Sequence, residues 1–182
     1  MTPRFSVLNT RVLLVTISIS VLAFSLSSWS SGKNTAEAIT LTVFCTLLAF
    51  ISVLDHTDHK IPNKLTLFPI PIVFFFSFLM PNIYEFSLTE VWWITPLLGS
   101  LIAGTIFSVC YFLPNTNLGG GDVKLATLIG SITGFPLCLA SLSVGLSIFV
   151  VKQSLTGNKK SAPLALYLYG GTLISIIVAQ QV

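Results

Sequence analysis

Apolar residues form long runs along this chain, and short stretches that hold the charged and turn-forming residues separate them. A run of about 20 apolar residues is long enough to cross the hydrocarbon core of a bilayer as a helix. The pattern predicts helices near Val12–Trp29, Ala36–Leu54, Leu65–Ile83, Trp92–Leu113 and Pro163–Gln180. We therefore predict an all-α, polytopic membrane protein with about six transmembrane helices, built as one membrane domain over residues 1–182.

The apolar run from Val123 to Val151 is longer than one crossing requires. Its central sequence GSITGFPL, from Gly130 to Leu137, supplies glycine and proline residues that favour a break. We predict two short helices here, which dip into the membrane and return. A single crossing would put the lysines that follow it outside the cell, against the positive-inside rule.

The distribution of lysine and arginine predicts an orientation. Arg4 and Arg11 precede the first apolar run, which lacks an A-x-A cleavage site and is expected to remain as a helix. With that end inside, the loops around Asp55 and Asp122 both face the cytoplasm. Lys33 is the one charge that this orientation does not explain.

Composition agrees with a membrane protein and excludes several other classes. The chain is 53% hydrophobic and only 8% charged, where about a quarter of residues are charged in ordinary soluble domains. The net charge of +3 is spread over several loops, which leaves no basic patch for nucleic acid. The three cysteines are isolated in apolar runs, and His56 and His59 have no third ligand nearby, so we expect no disulfide, metal or cofactor.

Two polar motifs interrupt the apolar pattern: DHTDHKIPN, from Asp55 to Asn63, and GGGDVKL, from Gly119 to Leu125. A carboxylate near a bilayer is costly unless it pairs or works. Taken singly, Asp55 and Asp58 could end a helix at the interface, and Asp122 could be a first-turn acid that the helix dipole favours.

Taken together, the motifs indicate hydrolysis. The glycines remove side-chain bulk, so that another backbone can approach. Two carboxyl groups a few ångströms apart cannot both ionise near neutral pH, and one keeps a proton. The ionised group can activate water while the protonated group donates to an amide carbonyl, which is the chemistry of an aspartic protease.

The spacing of these residues resembles the prepilin peptidases, membrane aspartic proteases with a G-x-G-D signature. The resemblance rests on the acid seven residues before Pro62, on GGGDVKL and on KKSAPLALYLYGG (Lys159–Gly171), and it covers roughly Ala36–Gly171. It implies that Asp55 and Asp122 are the catalytic pair. It also implies that motif residues position the substrate: Gly119, Gly121, Lys124, Pro62 and Asn63.

The resemblance further implies cleavage of type III leader peptides from prepilin or pseudopilin precursors, at the cytoplasmic side of a prokaryotic inner membrane. Large members of the family also carry paired C-x-x-C motifs and N-methylate the new terminus. This chain has no C-x-x-C pair, and the aromatic residue common after the proline of the third motif is replaced by Leu164. We therefore expect a peptidase without methyltransferase activity.

Other functions remain open on the sequence alone. A preflagellin-type peptidase, or another G-x-G-D intramembrane protease, would use the same two aspartates on a different substrate. A non-enzymatic, ion-coupled carrier could use Asp55 and Asp122 as a proton relay. Carriers of that kind often show internal repetition, of which this sequence shows none.

Overall fold

The computed structural model describes residues 35–58, 63–80, 93–113, 118–156 and 164–181, together with five single positions between residues 15 and 22. The continuous ranges hold these helices: α1 (Thr35–Asp58), α2 (Asn63–Leu67), α3 (Pro69–Leu79), α4 (Ile94–Phe112), α5 (Gly120–Thr133), α6 (Leu137–Thr156) and α7 (Leu164–Gln181). No strand occurs in these ranges, so the predicted all-α fold is confirmed. The predicted helix Val12–Trp29 falls almost wholly outside the described residues.

Three helices in the described ranges are long and apolar enough to cross a membrane: Ala36–Asp55, Ile94–Phe112 and Leu137–Leu155. Shorter apolar helices cover Leu65–Leu79 and Leu164–Ala179. This part of the chain therefore bears out a polytopic membrane protein.

Helix α1 is longer than the hydropathy pattern predicts. The apolar run ends at Leu54, but the helix continues for a further turn to Asp58. Polar residues such as aspartate and histidine lower helix stability only modestly, so the end of an apolar run need not end the helix. Asp55 is consequently a helical residue and not the first residue of a loop.

The helix predicted over Leu65–Ile83 forms over Leu65–Leu79 and is interrupted at Phe68, which separates α2 from α3. Phe68 keeps helical backbone angles, with φ −65° and ψ −37°. Pro69 and Pro71 have no N–H group to donate to the preceding turn, which interrupts the helical hydrogen bonds. The second of the two helices ends at Leu79.

The apolar run after Asp122 forms two helices, as predicted. Gly134 joins them with a φ of 69°, a conformation that favours glycine. The N–H of Phe135 donates to the carbonyl oxygen of Thr95 (3.2 Å) and attaches this turn to the start of α4. Only α5 is short; α6 has 20 residues, so the expectation of two short helices is wrong for α6.

Glycines bring two pairs of helices into backbone contact. A side chain on Gly99 of α4 would overlap the carbonyl oxygen of Gly130 on α5. A side chain on Gly171 of α7 would likewise overlap the backbone of Ser141 on α6, and would lie 2.5 Å from the backbone nitrogen of Gly145. Small residues allow the close packing that stabilises helix pairs in membranes, where apolar burial alone drives association weakly.

The directions of three helices show which of their ends lie together. Leu41 and Cys45 of α1 cluster with Ile176 of α7, and Cys45 also interacts with Tyr169, so α1 and α7 are antiparallel. The same holds for α6 and α7, since Nζ of Lys152 donates to the Tyr167 hydroxyl (2.5 Å) while Gly171 contacts Ser141. The end of α1, the start of α7 and the end of α6 therefore lie together.

Candidate active site

Asp122 occupies the third residue of α5, immediately after the glycine run. Gly119 caps the helix with extended backbone angles, φ −81° and ψ 146°. Its N–H donates to Oδ2 of Asp122 (3.1 Å), and its carbonyl oxygen accepts from the Asp122 N–H (3.0 Å). The predicted first-turn position is confirmed, and these bonds hold the carboxylate at the positive end of the helix dipole.

Gly119 and Gly120 have free space beside them within the described part of the chain. Among the described residues, a side chain on Gly120 would meet no atom within 4 Å, and one on Gly119 would lie 3.4 Å from Oδ2 of Asp122, an ordinary contact distance. Both residues are exposed, and the φ of Gly119 is one that any residue can adopt. Packing within the described residues therefore does not require glycine at either position.

Asp55 lies in the last turns of α1 and is almost completely buried, with 9% of its surface exposed. The residues one turn before it, Ile51 and Ser52, are buried as well. The structure thus shows Asp55 as the poorly hydrated carboxyl group that its position after an apolar run predicts. For Asp58, only the backbone lies within the described part of the chain.

The two carboxyl groups lie within electrostatic reach of each other. Asp122 is at the start of α5, outside the helices of spanning length, and its pKa is raised from 3.8 to about 6. Burial is the largest cause of this rise, the Gly119 N–H bond opposes it, and the charge of Asp55 adds to it. An acid with a pKa near 6 exchanges its proton readily around neutral pH.

The remaining motif residues lie around this pair to the extent that they are described. Gly121 and Lys124 are half-buried in the first turns of α5. The short helix α2, which begins at Asn63, packs against α5, and its Thr66 is fully buried. The end of the first motif is thereby held beside the helix that carries Asp122, although Pro62 and the Asn63 side chain lie outside the described residues.

Hydropathy predicts α7 as a helix but does not show that it lies beside the site. It packs against both α1 and α5, and its first turns are buried in the main core. An apolar helix carries no sequence signal for which neighbours it touches, and only the resemblance of Lys159–Gly171 to a family motif linked this segment to the site.

Metal binding has no support in the described ranges, where no group of three or more His, Cys, Asp or Glu side chains comes together. The His56 side chain and all of His59 lie outside those ranges. The chemistry that the described residues offer is proton transfer between two carboxyl groups at an open, glycine-lined surface.

Comparison with known proteins identifies the family. Residues 42–178 match the type IV leader peptidase family, and this match includes both aspartates and most of the bundle. The chain is similar to the prepilin leader peptidase/N-methyltransferase of Bacillus subtilis (strain 168), with 28% identity over 158 residues. The aligned region covers 78% of this chain but only 60% of that relative, and no solved structure matches. Because the family match covers well over half of the chain, the protein belongs to the type IV leader peptidase family.

Proposed function

We propose that this protein is an aspartic endopeptidase that cleaves the leader peptide of prepilin or pseudopilin precursors. The observation that carries the proposal is the effect of Asp55 on the pKa of Asp122, beside a glycine surface left open. Family membership supports the peptidase activity, and the two carboxyl groups support the aspartic type.

In the proposed mechanism, Asp55 and Asp122 share one proton. The ionised carboxylate takes a proton from water as the water oxygen attacks the scissile amide carbon, and the protonated carboxyl donates its proton to the carbonyl oxygen. The tetrahedral diol then collapses: the C–N bond breaks, the leaving nitrogen gains a proton from one carboxyl, and a diol hydroxyl returns a proton to the other. Both carboxyl groups finish as they began.

The surroundings of the pair suit a precursor that is anchored in the membrane. The aspartates lie at one end of a bundle of apolar helices, so a peptide bond just outside the bilayer could reach them while an apolar segment stays in the lipid. The positive-inside rule, applied to Lys152 and the lysines after it, puts that end in the cytoplasm. A short leader that precedes an apolar helix is the substrate that fits this placement.

Position at the end of the bundle also favours a hydrolase over an ion-coupled carrier. Carriers hold their substrate and coupling ions near the midplane of the bilayer, often at broken helices. Asp122 instead lies in the first turn of α5, and Asp55 lies one turn before the end of α1. A preflagellin-type substrate would use the same site and is distinguished by the substrate test below.

The test is co-expression of the protein with prepilin, pseudopilin and preflagellin-type precursors, followed by gel electrophoresis and mass spectrometry of the products. We expect a pilin-type precursor to lose its leader, and the Asp122→Asn variant at equal membrane level to leave it uncut. The new N-terminus should be unmethylated when this protein is the only enzyme present. Cleavage that persists in both Asp55→Asn and Asp122→Asn would exclude the aspartic mechanism.

A further inference from the structure

Helix α7 links the two helices that carry the aspartates. It packs against α1 and against α5, whereas α1 and α5 have little direct contact with each other. α7 is therefore one of the elements that set the separation of Asp55 and Asp122.

The first turns of α7 leave no free space. Leu164, Ala165, Leu168 and Tyr169 belong to the same core cluster as residues of α1 and α5, and Ala165 and Leu168 have no exposed surface. Protein cores are packed densely enough that an added methyl group must displace a neighbour.

Ala165 lies on the face of α7 that meets α1. Tyr169, one turn later on that face, lies beside Cys45 of α1. Continuing the antiparallel register by one turn brings Ala165 to the level of Ala49, which is also fully buried. Alanine at both positions allows α1 and α7 to approach closely. Ala49 lies less than two turns before Asp55 along α1.

A different face of α7 packs against the backbone of α6. A side chain on Gly171 would overlap the backbone of Ser141 on α6. This close contact opposes movement of α7, so we expect a larger side chain at position 165 to displace α1, and Asp55 with it.

We propose that Ala165 is a positioning residue whose small side chain sets the separation of the Asp55 and Asp122 carboxyl groups. This inference rests on the proposed pairing of those two aspartates in catalysis. A displacement of about 1 Å between reacting groups can cost about 100-fold in rate.

The distance itself can be measured without activity. In a full-length chain with alanine at the three native cysteine positions, Asp55→Cys and Asp122→Cys are cross-linked with bifunctional thiol reagents of increasing length, and the products are identified by mass. We expect Ala165→Val to lose most of the yield with the shortest reagent and to recover it with a longer one. Ala140→Val makes the same change at an exposed alanine of α6 and should keep the parent pattern.

A second readout uses the enzyme with its aspartates intact. Wider separation weakens the coupling of the two carboxyl groups, so their apparent pKa values approach each other and the bell-shaped pH dependence of cleavage narrows. Ala165→Val should show this narrowing with a lower kcat, while Ala140→Val should keep the width.

The two proposals fail in different ways. If Ala165→Val cross-links with the same reagents as Ala140→Val, the positioning role is wrong whether or not the protein cleaves a precursor. If the reagent preference shifts but the unaltered protein cuts no precursor, the proposed function is wrong and the positioning role stands. Should Ala165→Val fail to fold, Ala165→Ser, which adds a single heavy atom, must shift the preference toward the longer reagent, and an unchanged pattern overturns the inference.

Discussion

The charge of Asp55, near the end of α1, raises the pKa of Asp122, in the first turn of α5. Burial of Asp122 raises that pKa further, and the hydrogen bond from the Gly119 N–H lowers it, which leaves a value of about 6. Asp55 itself is almost completely buried. Two interacting carboxyl groups titrate as a pair, and a pair of this kind can hold one proton near neutral pH.

This relationship predicts which aspartates are essential. Asp55→Asn and Asp122→Asn keep the size of each side chain but remove its titratable group, so each should lower cleavage of a co-expressed precursor by several orders of magnitude. Asp58→Asn should retain most activity, because Asp55 has the family spacing to Pro62 and Asp58 does not. Cleavage is measured on gels at matched membrane levels. Activity in Asp55→Asn together with its loss in Asp58→Asn would reverse the assignment.

Much of the site could be predicted from the sequence because its signals are local. Gly119 to Asp122 is a short polar string between apolar runs, and the first turn of a helix is where such a glycine–acid string is expected. The break between α5 and α6 was predictable for a similar reason, because Gly134 and Pro136 are local helix breakers.

Features that depend on distant packing were not predictable. The end of an apolar run shows where the chain leaves the hydrocarbon, but the backbone hydrogen bonds of a helix can continue beyond that point. Hydropathy therefore could not show that α1 continues to Asp58. No sequence pattern indicates that α7 packs against both α1 and α5. A helix that is apolar on every side has no polar face from which its neighbours could be inferred.

Because the pKa of Asp122 is raised, replacing this residue with a neutral one should stabilise the fold at a pH where the carboxyl group is ionised. The folded protein binds the Asp122 proton more tightly than the unfolded chain, whose pKa is near 3.8. Protonation therefore stabilises the fold fully below about pH 4, and this contribution is lost as the pH rises through about 6. Asp122→Asn, which can still accept the Gly119 N–H, should raise the thermal unfolding midpoint at pH 8 but not at pH 4.

Thermal unfolding in detergent across this pH range measures the difference. Asp58→Asn is the control, since it changes the net charge by the same amount at an aspartate that the family resemblance does not place in the catalytic pair. An equal gain for Asp58→Asn, or a gain for Asp122→Asn that is independent of pH, would contradict a raised pKa of Asp122 in the folded protein.

Alanine substitutions at Gly119 and Gly120 test whether access to Asp122 can be reduced without a change in the stability of the fold. A methyl group on Gly119 would lie 3.4 Å from Oδ2 of Asp122 and partly cover the carboxylate, whereas one on Gly120 would meet no described residue within 4 Å. Gly119→Ala should therefore lower kcat/KM at normal thermal stability, and Gly120→Ala should preserve both. Equal activity in the two variants would show that the space beside Oδ2 is not used by water or substrate.

Gly170 and Gly171 are neighbours on α7 with opposite surroundings. A side chain on Gly171 would overlap the backbone of α6, while one on Gly170 would meet nothing within 4 Å in the described ranges. Gly171→Ala should lower the free energy of unfolding by roughly 1–3 kcal/mol through overpacking. Gly170→Ala should be neutral or stabilising by up to about 1 kcal/mol, because alanine favours helix more than glycine does. Unfolding in denaturant compares the two, and similar losses would contradict the backbone contact between α6 and α7.

The last prediction concerns the side of the membrane on which the site lies. The structure puts the end of α1, the start of α7 and the end of α6 at one end of the bundle, and the lysines near that end predict that it faces the cytoplasm. Single cysteines at His59, Asn117 and Asn158, in a chain without native cysteines, should resist a membrane-impermeant thiol reagent added outside. All three should react after the membrane is opened. The same orientation puts the loop that holds Glu85 outside, so a cysteine at Glu85 should react without opening. Labelling of all three from outside would invert the predicted orientation, because these positions flank elements that share one end. Labelling at Asn158 alone would mean that the region from 123 to 151 crosses the membrane only once. That result would contradict the structure, in which the end of α6 lies at the same end of the bundle as the end of α1.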